Sequence, residues 1–252
     1  MNANERAIRD KLLQHGRDLF DARKEERIEF TGNPDADALL NDLGTHPHAF
    51  VLGCLMDRQM RYKKAWLIPY TISQRSGFSK FSVEDLSELT LEQVKELMSK
   101  PEPLHRFADK MSCVFYSALQ RIAKEYAGDA SRIWADEPSS AEVVYRFLQF
   151  HGAGPKIATM AANILAREFK VRFADFYSVD ISADVQVCRV FARLGLCPSD
   201  PTQVVYKARA LYPEFPGMMD SPCWEIGENW CRPHDPHCND CYMRDLCPKL
   251  PL

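Results

Sequence analysis

No stretch of this sequence stays apolar long enough to cross a bilayer, and no apolar leader core follows Met1. A soluble intracellular protein with no membrane partner is therefore expected. Basic excess is missing too: 32 lysines and arginines face 35 aspartates and glutamates, a net charge of -3. That excludes a chain that coats nucleic acid by bulk charge, but not one with a local basic site. Strand-like alternation, internal repeats and low-complexity linkers are also absent, which disfavours sheet, solenoid and tethered-domain architectures. The nine cysteines are odd in number and lack a secretory context, which argues against a disulfide framework.

What is present reads as helix after helix. With 252 residues, 46% of them hydrophobic, the chain can build one large core or two small ones. Residues 5–30 put Ile8, Leu12, Leu19 and Phe20 on one side of a charged helix that Asn33-Pro34 ends. Residues 48–58 and 62–76 are apolar helical stretches around the polar joint Asp57-Arg58-Gln59-Met60-Arg61. Thr90 and Gln93 fit a capping box, with Leu89 and Val94 placed as a hydrophobic staple. A helix over 104–127 follows, and Ser139 with Glu142 begins another that runs to Phe150. Apolar residues at 187, 190, 191 and 194 keep the helical period, and Asp200-Pro201-Thr202-Gln203 opens one more helix. The fold class is all-α.

Two segments carry chemistry. In the first, two apolar helical stretches flank the turn His151-Gly152-Ala153-Gly154. Its glycines permit positive φ and leave backbone N–H groups uncovered, and Pro155 suits the first position of the next helix. Such a helix start binds a phosphate oxygen without any net charge. Lys156 falls in that first turn, where the helix dipole opposes a cation; it reads as a phosphate ligand or as a nucleophilic amine. In the second segment, Cys231, Cys238, Cys241 and Cys247 give C-x6-C-x2-C-x5-C. Zinc sites more often show two close cysteine pairs, whereas this is one C-x2-C with longer arms. Cys54, Cys113, Cys188 and Cys197 sit in apolar surroundings as small hydrophobes, and Cys223 falls outside the pattern.

The run Phe150-His151-Gly152-Ala153-Gly154-Pro155-Lys156-Ile157-Ala158 resembles the helix-hairpin-helix of the endonuclease III superfamily of DNA glycosylases. That family usually reads Leu-Pro-Gly-Val-Gly-Arg-Lys-Thr-Ala. Both glycines, the lysine and the alanine match, while His151 replaces the proline and Pro155 the arginine. The cysteine spacing resembles the [4Fe–4S] loop of the same family, with Ile226-Gly227 before Trp230-Cys231 and Asp245-Leu246 before Cys247. The run from Ala183 to Val190 resembles the family's Val-Asp-Thr-His-Val-x-Arg-Val, which puts Asp184 at the aspartate and Gln186 at the histidine. Asp180, in Val179-Asp180-Ile181, is a rival for the same role, and the interval from Lys156 is longer than the family's.

The resemblance implies two helical domains with a DNA-binding cleft between them. Residues 46–157 would form a six-helix domain ending in the hairpin, and residues 1–45 with 158–252 an iron–sulfur domain. Lys156 would be the catalytic amine and Asp184 the catalytic carboxylate. The backbone of Gly152, Ala153 and Gly154 would hold DNA phosphate, and Gln59 would enter the duplex where a nucleotide is extruded. Cys231, Cys238, Cys241 and Cys247 would ligate a [4Fe–4S] cluster of structural role. The stretch from Arg232 to His237 holds one arginine and two histidines where relatives are rich in lysine and arginine, which implies a weaker contact. The partner would be double-stranded DNA with a damaged base or abasic site, met by a monomer that is cytoplasmic and nucleoid-associated in a prokaryote. The resemblance favours a bifunctional glycosylase and abasic-site lyase for an oxidised base. It leaves open a monofunctional enzyme for mismatched adenine, 8-oxoguanine or a deaminated base, and a non-catalytic DNA-binding or redox-sensing protein.

Overall fold

A computed structural model describes residues 1–22, 27–78 and 80–250. Among them every regular element is helical. In chain order these are α1 (Ala3–Asp21), α2 (Pro34–Asn41), α3 (Pro47–Met56), α4 (Tyr62–Trp66), α5 (Ile68–Ser76), α6 (Val83–Ser87), α7 (Leu91–Ser99), α8 (Ala108–Glu125), α9 (Ser140–Leu148), α10 (Pro155–Arg167), α11 (Val185–Arg193), α12 (Pro201–Leu211) and α13 (Asp220–Asn229). Short 3-10 turns lie at Ala130–Ile133 and Pro216–Met219. The all-α expectation is met, and no helix among the described residues is long and apolar enough to cross a membrane.

The chain divides into two compact units. Lys24–Asp136 with Tyr145–Ile157 form one, and Met1–Arg23, Glu137–Val144 and Ala158–Leu252 form the other. The first unit is built around α3, which has no polar face and whose every residue is buried. It packs against α2, α4, α5 and α8. The amphipathic α8 turns Met111, Val114, Phe115, Ala118 and Ile122 inward. The predicted capping box opens α7: Thr90 Oγ1 accepts from Gln93 N at 3.2 Å, and Gln93 Oε1 accepts from Thr90 N at 2.8 Å. The second unit gathers α1, α11, α12 and α13 around a core that includes Leu12, Val187, Phe191, Val204 and Ile226. Asp200 caps α12 as expected, accepting from Gln203 N at 2.9 Å.

Several expected boundaries shift. The helix expected over 5–30 ends at Asp21, and the described residues 27–30 are not helical. The stretch 62–76 breaks between α4 and α5 at Leu67, where Pro69 brings no N–H to continue the ladder. Residues 104–107 stay outside α8. The unit boundary moves as well. Residues 27–45 join the hairpin-bearing unit rather than the cysteine-bearing one, because Phe30 stacks on Trp66 at 4.5 Å and Ala36 and Leu40 are buried among α3 and α5. Residues 137–144 join the cysteine-bearing unit, where Ser140 Oγ donates to Asp175 Oδ1 at 2.5 Å and accepts from Ser178 N at 2.9 Å.

Candidate catalytic hairpin and cysteine loop

Helices α9 and α10 are joined by a tight turn over 149–154. Ala153 N donates to Phe150 O at 3.0 Å, and Gly152 takes the left-handed φ of +86°. A Cβ at Gly152 would lie 2.8 Å from Val114 Cγ2 on α8, so both backbone and packing require glycine there. Gly154 differs: a Cβ there would meet nothing within 4 Å. Sequence reasoning treats the two glycines alike; the structure separates them into a buttress and an uncovered approach to the start of α10. Gly152→Ala is expected to cost about 1–3 kcal/mol of stability, through a strained φ and overlap with Val114. Gly154→Ala should leave the melting temperature within a few degrees. Thermal melts of both variants check this.

Lys156 is the second residue of α10, and its Nζ donates to Asp57 Oδ2 at 3.1 Å. The lysine side chain is 36% exposed and the aspartate 13%. Asp57 directly follows α3, so its carboxylate sits at the negative end of one helix and the ammonium at the positive end of another. Each placement is opposed by roughly 0.3–1 kcal/mol, and the contact offsets both. The buried Cys54 thiol lies close enough to feel both charges; burial, with Asp57 adding to it, holds that thiol well above the usual range.

Gln59 is exposed on the joint between α3 and α4, with a left-handed φ of +52° that non-glycine residues seldom adopt. The joint is braced from below. His105 Nε2 donates to Arg58 O at 3.1 Å while its Nδ1 accepts from Phe107 N at 3.0 Å, which fixes a neutral tautomer. Burial pushes His105 below the usual histidine range. Arg106 Nη1 donates to Gln59 O at 3.3 Å. Of the basic residues nearby, Lys63 is drawn to Glu29 at 2.5 Å. Trp66 is core.

In the other unit Asp184 caps α11: its Oδ1 accepts from Gln186 N and Val187 N, each at 2.8 Å. The rival Asp180 is only 7% exposed and is held in a two-pronged pair with Arg209, both contacts at 2.7 Å. That geometry gives Asp180 a structural task. Asp220, on α13, accepts from Ser182 N at 2.7 Å and so fixes the turn that leads into Asp184. Burial pushes the Asp220 carboxyl up to about 6, against the pull of Arg167.

Cys231, Cys238, Cys241 and Cys247 all line one cavity of about 190 Å³, together with Val190, Leu194, Ile226 and Met243. Four cysteine thiols lining one cavity, spaced as one C-x2-C with two longer arms, form a donor set that fits an iron–sulfur cluster. Two arginines of α11 clamp the first arm: Arg189 Nε donates to Cys231 O at 2.6 Å, and Arg193 Nη1 donates to Arg232 O at 2.6 Å and to Cys231 Sγ at 3.5 Å. Residues 232–237 are exposed.

Three partners escaped sequence reasoning: Asp57, Asp220 and Arg193. For Asp57 a signal existed, since an acid closing a largely apolar helix stands against the dipole and calls for a partner.

Nearly the whole chain superimposes on solved structures of endonuclease III with DNA. A trapped covalent intermediate matches at TM-score 0.64 and 14% identity over 97% of this chain and 96% of that one. A non-covalent complex matches at 0.64 and 16% over 99% and 97%. A thermostable thymine-DNA glycosylase matches at 0.62 and 12% over 98% and 96%. The chain therefore has the endonuclease III fold with its helix-hairpin-helix. No family model matches the sequence, and no curated protein does.

Proposed function

We propose that this chain is a base excision DNA glycosylase that acts as a monomer on double-stranded DNA carrying a damaged base or an abasic site. The observation that carries the reading is the hairpin: a left-handed Gly152, an uncovered Gly154 and a lysine in the first turn of α10, within a fold shared with an enzyme trapped on DNA. Backbone N–H groups of Gly152, Gly154 and the helix start receive a phosphate and set the register on the duplex, while the Ala153 N–H closes the turn onto Phe150 O. Gln59, braced on its strained joint, fills the gap left by the extruded nucleotide. Asp184 stabilises the oxocarbenium-like sugar as the base departs, and Lys156 attacks C1′ to form a Schiff base. The imine then permits β-elimination, so the enzyme is bifunctional, with an oxidised base as substrate. Cys231, Cys238, Cys241 and Cys247 hold a [4Fe–4S] cluster, which organises the loop.

The test is a panel of duplexes, each carrying one oxidised, deaminated or mismatched base or an abasic site. Released base is read by mass spectrometry and strand scission on a gel. Release from an oxidised-base duplex with scission at the abasic site is expected. Release without scission would make this a water-using glycosylase, and neither across the panel would refute the reading. In the active duplex, Gln59→Ala should slow excision by about tenfold or more. Its affinity for a stable abasic analogue should stay within about threefold of the parent, because the hairpin supplies the phosphate contacts. Excision at the parental rate would remove Gln59 from the wedge role.

A further inference from the structure

Asp57 has no part in the mechanism above, yet every local feature of its position is unfavourable to a charge. It closes a helix that is apolar but for His48, little of its side chain reaches solvent, and the carbonyl end of α3 opposes it. Lys156 is misplaced in the mirrored sense, and the two meet at 3.1 Å. The Cys54 thiol beside them is held protonated by burial, so it adds no competing charge.

The geometry points to Asp57 as the group that takes the proton from the Lys156 amine before it attacks the sugar. This rests on the Schiff-base reading of Lys156. An ammonium has no lone pair to donate. Transfer of one proton from Nζ to Oδ2 leaves a neutral amine with its pair and a neutral Asp57 acid. At an intact nucleotide that pair forms the Nζ–C1′ bond while the C1′–base bond breaks. The bonding electrons leave with the base, which takes a proton from water. At an abasic site the pair adds to the open-chain C1′ aldehyde. The aldehyde oxygen then leaves as water, taking one proton from the nitrogen and one returned by Asp57, and an iminium remains.

The experiment is single-turnover borohydride trapping of the full-length protein on an abasic-site duplex, alongside affinity for a stable abasic analogue. Asp57→Asn keeps the size and a carbonyl acceptor for the lysine but cannot take up a proton. Its trapping rate should fall by about 10²-fold, in the range of general acid–base contributions, with affinity within about threefold. Asp57→Glu, which restores the acid, should recover to within about tenfold of the parent. Trapping by Asp57→Asn at the parental rate overturns the role. A rate that falls only in step with affinity also overturns it, because Asp57 then merely holds the joint. If Asp57→Asn fails to fold, a folded Asp57→Glu that traps no faster than Lys156→Gln overturns it as well. A parent protein that forms no adduct at all overturns the lysine reading itself, and Asp57's role with it. That result is distinct from a defect confined to Asp57→Asn.

Discussion

Lys156→Gln is expected to abolish the borohydride-trapped adduct on an abasic-site duplex while helical circular dichroism stays unchanged. Glutamine is the informative replacement because its amide N–H can still donate to Asp57, whose poorly exposed carboxylate would be left without a partner by alanine. With that donor kept, the stability cost should be about 1–2 kcal/mol. Affinity for a stable abasic analogue should stay within about threefold, since the phosphate contacts belong to backbone groups of the hairpin. Asp184→Asn should behave differently. Asparagine caps helices as well as aspartate does, so α11 keeps its start. Base removal should nonetheless slow by about 10²–10³-fold, the scale of losing one preorganised electrostatic group, while trapping on a preformed abasic site persists. Loss of both activities together in Asp184→Asn would assign the carboxylate to the lysine instead.

The second large effect concerns iron. The parent protein should be yellow-brown, with a broad visible band and about four irons per chain. Cys238→Ser should lose most of that iron and leave little soluble protein. Among the described residues after Trp230 no regular element forms, and the arm that carries Cys238 is exposed from residue 232 to residue 237. The two α11 arginines hold Cys231 and Arg232 and Met243 packs into the core, so the exposed arm between them would depend on thiolate bonds to the cluster. Stoichiometric zinc with no iron after anaerobic purification would contradict the cluster assignment.

What the sequence made legible follows from the range of the forces involved. The caps at Thr90 and Asp200 are local bonds between residues three apart, and both stand in the structure as expected. Helix ends were less readable. The periodic charge pattern of residues 5–30 runs past Asp21, where the helix stops, and only Pro69 betrays the break between α4 and α5. The Asp57–Lys156 contact joins residues 99 apart, so the motif that exposes Lys156 says nothing about its partner. Asp180 and Asp184 look alike in sequence. The pairing of Asp180 with Arg209, 29 residues further on, has no local signal. The hairpin-bearing unit takes in residues 27–45 because Phe30 finds Trp66, a match of shapes that no local pattern encodes.

The most direct test of the account is a peptide map of the parent protein after borohydride reduction on an abasic-site duplex. The account predicts one modified peptide, carrying the mass of the reduced sugar fragment on Lys156. A fragment attached to any other residue, or an active glycosylase that carries none, would contradict it.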